Sequence, residues 1–201
     1  FMTKSPHGIN YEAHRPDVMG RNGMVVSGHP LASQAGIEVL QKGGNAIDAA
    51  VAIAAAVNVV EPQMSGIGGD GFIMIYHRTE DKIEIANGTG PAPLCADRDK
   101  YSKNGIPEKG LLSVSVPGIL DAWLAAHKKY GVLELGTVLN PAISLAKNGF
   151  PVSRKLSKDI AADTFLCNYP TSQPIFAPEG NPLSPGDILF QNGPIHRFEL
   201  S

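Results

Sequence analysis

Hydrophobic and polar positions divide the chain into blocks of different periodicity. The most apolar block is residues 46–60, AIDAAVAIAAAVNVV, where only Asp48 and Asn58 are not alanine, valine or isoleucine. A helix apolar on nearly every side belongs in an interior, and one this short falls below the roughly 20 residues a bilayer requires. Asn45 ahead of it predicts an N-cap, and Asp48 puts negative charge at the positive helix end. The helix should stop at Glu61-Pro62, and the loop SGIGGDG at 65–71 should lead into a strand from Phe72. Upstream, residues 24–27 (MVVS) read as a short strand. Residues 30–42 read as a helix opened by Pro30, with Leu31, Ala35, Val39 and Leu40 on one face, and closed by Gly43-Gly44.

Downstream, FIMIY at 72–76 is nearly all apolar, as a strand buried on both faces would be. Residues 72–78 and 82–86, joined by the polar Thr79-Glu80-Asp81, predict an antiparallel hairpin. Asn87-Gly88-Thr89-Gly90-Pro91-Ala92-Pro93 then ends regular structure. Residues 101–109 read as a polar connection and 114–118 as an extended lead into a helix at 119–130. On that helix His127 and Trp123 are expected to be packing partners, and Gly131 terminates it. A further helix is expected at 137–148, closed by Gly149, and another over 152–165. Six prolines from Pro170 to Pro194 predict an irregular end from about residue 168. The domain reading is a polar arm at 1–22 followed by a single body over 23–201, with no internal repeat.

Composition narrows the chemistry. Net charge is −2, from 17 basic and 19 acidic residues, with no long basic run, so neither nucleic acid nor a membrane surface is an expected partner. Cys95 and Cys167 stand apart and read as free thiols, and the six histidines have no metal-ligand spacing, so no metal is expected. The start of the sequence has no apolar leader core, which gives a cytoplasmic expectation unless a leader has been removed. The glycine loop does not read as a nucleotide site. A phosphate cradle runs strand–loop–helix, whereas here the order is helix–loop–strand and no Gly-Lys-Ser/Thr follows. Its glycines are expected to supply positive φ and close backbone approach. Ser65, Gly68 and Gly69 are read as scaffold and Asp70 as a solvated acid.

Taken in order, several stretches resemble the N-terminal half of the gamma-glutamyltransferase family. They are residues 36–58 with Gly43-Gly44-Asn45-Ala46-Ile47-Asp48-Ala49-Ala50, Glu61-Pro62-Gln63 and residues 66–72. Further on come Pro91-Ala92, Arg98-Asp99, Ser115-Val116-Pro117-Gly118, Tyr130-Gly131, Pro141-Ala142 and Gly149-Phe150. The similarity runs from about Met24 to Gln191, and residues 192–201 do not share it.

The resemblance implies an α+β fold, the four-layer αββα sandwich of N-terminal-nucleophile hydrolases, with this chain as part of a large subunit. It also implies a self-cleaving precursor and a heterodimer whose small subunit begins with a threonine. That hydroxyl attacks a small-molecule amide such as glutathione, with its own α-amine as base. No cofactor is implied, and no catalytic residue lies in this chain. Members acting on gamma-glutamyl compounds carry an arginine that grips the substrate carboxylate. Aligned on Pro91-Ala92, its position falls at Asn87, so Asn87, Gly88 and Thr89 are the expected substrate-binding residues, with neutral donors and an open acyl-donor identity. A plain turn is the alternative reading of these three. For the whole chain, the alternative is a non-catalytic binding or structural protein that retains the fold.

Overall fold

The computed structural model describes residues 18–191. Most of the expected N-terminal arm, and residues 192–201, lie outside that range. The fold is α+β. Helices α1 (Pro30–Gln41) and α2 (Ala46–Val60) are followed by strands β1 (Phe72–His77) and β2 (Lys82–Asn87) and helix α3 (Arg98–Asn104). Then come α4 (Ile119–Tyr130), α5 (Leu135–Asn148), β3 (Phe150–Pro151), α6 (Arg154–Ala162), α7 (Thr164–Asn168), α8 (Gln173–Phe176) and β4 (Ile188–Leu189). Helix α2 is the centre. Its small side chains let α1 and α5 pack closely on it, with α4 at another flank, and Val39, Ala52, Ala56, Val138 and Leu156 are among the fully enclosed core residues.

Both ends of α2 are tied to distant sequence. At its start, Asn45 Oδ1 accepts from the Ile47 and Asp48 amides (2.8 and 3.0 Å), and Asp48 Oδ2 accepts from the Asn45 amide (3.0 Å), a reciprocal capping box. The expected end charge is therefore an enclosed one, since Asp48 has no solvent exposure. Its carboxylate also accepts from the Val132 amide (3.2 Å), while Asn45 Nδ2 donates to the Tyr130 carbonyl (2.6 Å), so the cap grips the end of α4. His127 joins this knot: its Nε2 lies 3.0 Å from the Leu133 carbonyl and 3.4 Å from Asp48 Oδ1. Both neighbours are acceptors, so Nε2 carries the hydrogen. His127, expected as a packing partner of Trp123, is thus part of a polar tie. A Cβ at Gly131 would lie 2.8 Å from Asp48 Oδ1, so only glycine lets the carboxylate reach this corner. At the other end of α2, Gln191 Nε2 donates to the Val59 carbonyl (2.7 Å), one of the acceptors a helix end leaves unpaired.

The hairpin is antiparallel, pairing Phe72 with Asn87, Met74 with Ile85 and Tyr76 with Ile83. Its inner face, with Ile75 and Glu84, meets α4: Glu84 takes a hydrogen bond from Lys129 (2.8 Å) and another from the Tyr130 hydroxyl. The expectation of burial on both faces does not hold among the described residues. Phe72, Met74, Tyr76, Ile83 and Ile85 are all 58–70 % exposed and form one continuous apolar face. Ala46 and Ala50 of α2 are likewise at the surface.

Other expectations are corrected. Residues 24–27 have no regular secondary structure and enter no ladder among the described residues. The supposed polar connection contains α3, capped by Asp97 accepting from the Asp99 amide (2.8 Å). The helix expected over 152–165 breaks at Asp163, whose carboxylate caps α7 through the Phe165 and Leu166 amides. The proline-rich end is held in place. β4 pairs with β3, Val152 N–H donates to the Asp187 carbonyl (2.8 Å), and Leu189 is fully buried. The two sheets here have two strands each.

Two stability predictions follow from these ties. Asp48→Ala removes half of the capping box and strands the Val132 amide, and should cost about 2–4 kcal/mol in denaturant unfolding. Hydrogen bonds from Lys129, Lys82 and Tyr130 hold the Glu84 carboxyl well below the usual carboxylate range. Its stabilising contribution is then complete above an unfolded value of about 4.3 and is lost as pH falls through the depressed folded value. Thermal melts of Glu84→Gln should therefore converge with those of the parent protein in strong acid and lie below them at neutral pH.

Candidate functional site

Three backbone segments meet where β1 begins and β2 ends. The glycine loop supplies one, residues 87–91 the second and residues 115–118 the third. Gly88 N–H donates to the Gly71 carbonyl (2.9 Å), and Gly118 and Ile119 N–H groups donate to the Gly69 carbonyl (3.3 and 3.2 Å). Val116 N–H donates to the Pro91 carbonyl (3.0 Å). Side chains would not fit between them. A Cβ at Gly90 would come within 1.4 Å of the Val116 carbonyl oxygen, one at Gly118 within 2.5 Å of the Gly88 oxygen, and one at Gly88 within 2.8 Å of Ala122. Close approach is therefore the reason for these glycines. For the glycine loop itself the expectation holds only at Gly69 and Gly71, where a Cβ would crowd its neighbours: no glycine in residues 65–71 has positive φ, and a Cβ at Gly66 or Gly68 would meet nothing within 4 Å.

The three expected site residues sit together at this junction. Asn87 is the last residue of β2, exposed on the open face across from Phe72. Its Oδ1 accepts from the Thr89 amide (2.9 Å), forming a side-chain-closed turn and leaving Nδ2 as its outward donor. Gly88 is buried beneath the turn, and the Thr89 side chain is exposed. The plain turn and the binding segment are thus compatible: the turn sets the direction of the donors.

Asp70 is more than the solvated acid expected of it. Although exposed, its carboxylate accepts from the Gly90 amide (2.9 Å) and from Ser115 Oγ (2.9 and 3.1 Å), bridging all three segments. An acid set among loop amides was the available signal in the sequence. Ser65 Oγ donates to Asn58 Oδ1, fastening the loop back onto α2. Beside the junction lies a groove of about 380 Å³ between α2, β1 and α4, lined by Ile47, Ala54, Asp70, Phe72, Met74 and Trp123 among others. Asn87, Gly88 and Thr89 are not in its lining. Among the described residues no group of three His, Cys, Asp or Glu side chains is placed to hold a metal.

Comparison with known proteins gives a consistent result. Residues 32–196 match the family described as gamma-glutamyltranspeptidase. A glutathione hydrolase-like YwrD proenzyme of Bacillus subtilis is 44% identical over 180 residues, covering 87% of this chain and 34% of its own length. The chain therefore spans about a third of the length of the curated relatives it matches. The crystal structure of Helicobacter pylori gamma-glutamyltranspeptidase superposes with a TM-score of 0.84 at 34% identity, covering 92% of this chain and 55% of that one. A cephalosporin acylase from Bacillus halodurans superposes with the same score of 0.84 at 35% identity, covering 98% of this chain and 39% of its own.

The packing of the junction makes a direct prediction. Gly90→Ala should destabilise the protein by roughly 3 kcal/mol or more, because the obstructing atom is backbone. Gly66→Ala, with nothing within 4 Å of the new methyl, should stay within about 0.5 kcal/mol. Thermal or chemical unfolding of the two variants checks both.

Proposed function

The chain belongs to the gamma-glutamyltranspeptidase family, and on that footing we propose that it is the large-subunit part of an N-terminal-nucleophile amidohydrolase or acyltransferase. Relatives and structural neighbours include both glutathione hydrolases and acylases, so amide cleavage is the common denominator. The nucleophile is a threonine at the start of a small subunit released from the same precursor. Its hydroxyl adds to the substrate amide carbonyl while its α-amine, with a pKa of about 7.7–8.0, takes the proton. The amine leaves, and water or an acceptor amine resolves the acyl-enzyme.

The open hairpin face is the observation that carries this reading. Five large apolar side chains stand 58–70 % exposed on one face, and a patch of that kind marks a surface that is covered in the working protein. A second β-sheet from the rest of the protein, stacked on this face, would complete a four-layer αββα sandwich. Asn87 lies on the same face, across from Phe72, so a nucleophile delivered with that sheet would arrive beside the Asn87-Gly88-Thr89 segment. In this role Asn87 Nδ2, the Thr89 hydroxyl and the backbone around Gly88 bind the acyl donor.

A cation is missing from that set. A hydrogen bond to a charged group contributes about 1.5–3 kcal/mol, so an arginine here should favour a substrate with an α-carboxylate by roughly 10- to 150-fold. The turn dictates where to put it. Replacing Asn87 would open the turn, whereas the exposed Thr89 side chain can be exchanged. Thr89→Arg in the full-length protein should raise kcat/KM for a gamma-glutamyl anilide at least about tenfold relative to its des-carboxyl analogue. An unchanged ratio removes the segment from the pocket. Intact-mass and N-terminal analysis of the purified protein tests the wider reading. It should find a second polypeptide beginning with threonine, and a single uncleaved, inactive chain would leave a binding or structural protein instead.

A further inference from the structure

Within the junction, the backbone of residues 87–91 is held by both main-chain and side-chain acceptors. Gly88 N–H is bound by the Gly71 carbonyl, the Pro91 carbonyl by Val116 N–H, and Thr89 N–H by Asn87 within its own turn. Gly90 N–H alone among these is bound by a side chain from outside the segment: its acceptor is Asp70, 20 residues earlier in the sequence. The same carboxylate receives Ser115 Oγ from the third segment. Each of its two oxygens is engaged, and its own residue lies between Gly69 and Gly71, whose carbonyls hold α4 and Gly88.

We infer that Asp70 is a positioning residue for substrate binding, a role that rests on the reading of Asn87-Gly88-Thr89 as the acyl-donor segment. Two hydrogen bonds fix the segment at Gly88 and Gly90, one on each side of Thr89. With both in place, the peptide units flanking Thr89 have a single orientation, and the Thr89 hydroxyl and Asn87 Nδ2 point one way. Without the bond at Gly90, residues 89–90 are free to turn between the ties at Gly88 and Pro91, and those donors spread over several directions. The chemistry needs a short acceptor with two oxygens here. A glycine at 70 could not reach the Gly90 amide, and a longer glutamate would push against the 115–118 segment that Ser115 draws in. Asp70 does not touch the reacting atoms, so its loss should weaken substrate capture and leave the chemical step of correctly bound substrate intact.

The test uses the full-length processed protein with Asp70→Ala, Asp70→Asn and Ser115→Ala, assayed on both a gamma-glutamyl and a glutaryl anilide. Amide hydrogen exchange of residues 87–91 is followed in parallel. Asp70→Ala should raise KM about tenfold with kcat held within about threefold, and should speed exchange at Gly90 but not at Gly88. Asp70→Asn should restore both readouts to within about threefold, because its amide oxygen accepts Gly90 N–H while its Nδ2 donates to Ser115 Oγ. Ser115→Ala should raise KM two- to threefold and keep the fold if Asp70→Ala does not. A loss confined to kcat or to the yield of folded protein, or an Asp70→Asn variant as impaired in KM as the alanine, overturns the inference. Should the parent protein cleave neither anilide, the functional reading has failed on its own. The exchange arm then decides separately, and unchanged Gly90 exchange in Asp70→Ala refutes the positioning role.

Discussion

The fully enclosed carboxylate of Asp48 is the constraint on which the arrangement depends. An ionisable group without solvent is tolerated in a protein only when its oxygens are satisfied, and this one is satisfied from both sides: by the Asn45 amide at the start of α2 and by the Val132 amide just past α4. The two helices thereby share one corner. Because α4 begins at Ile119, directly after the segment that interlocks with the glycine loop, fixing its far end fixes the direction from which residues 115–118 approach the candidate site. Glu84 does the same for the hairpin, gripping the last turn of α4 from β2. A helix held at one end by an aspartate and at the same end by a glutamate becomes the reference against which loop and hairpin are placed.

Small residues are the other half of the design. Alanines along α2 bring its neighbours close, and glycines at 88, 90 and 118 let three backbones meet where any side chain would collide. Specificity at the junction is therefore written mostly in main-chain hydrogen bonds, which substitution cannot easily retune. What can vary is confined to a few side chains at its surface: Asp70, Asn87, Thr89 and Ser115. Proteins as different as a glutathione hydrolase-like proenzyme and a cephalosporin acylase can then share the scaffold.

Local signals were legible in the sequence wherever the physics was local. The bounds of α2 and α4, the cap at Asn45, Pro30 as the first residue of α1 and the hairpin turn follow from propensity and punctuation alone. The family resemblance was also readable, since it lies in ordered short motifs. Features that depend on distant partners were not. Tertiary contacts with Asp48 and Leu133 turn His127 from an apolar-face residue into a polar tie. Asp163 ends a helix that periodicity continues, because its side chain is used to cap the next one. Among the described residues, 24–27 have strand chemistry but pair with no strand, and the FIMIY run has two apolar faces of which only one is covered. At the junction, Asn87, Gly88 and Thr89 were singled out through the resemblance, whereas the tie made by Asp70 was not legible, because its partners are 20 and 45 residues away.

The contact between Gln191 and the Val59 carbonyl joins residues 132 positions apart. Closing so long a loop is entropically demanding and comes late. During synthesis, α1, α2, the hairpin, α4 and α5 can all assemble before residue 191 leaves the ribosome, and until then α2 keeps an unpaired carbonyl at its C-terminal end and the core lacks Leu189. Residues 188–191 therefore act as a clasp added to the α2 core after the elements it closes on have formed.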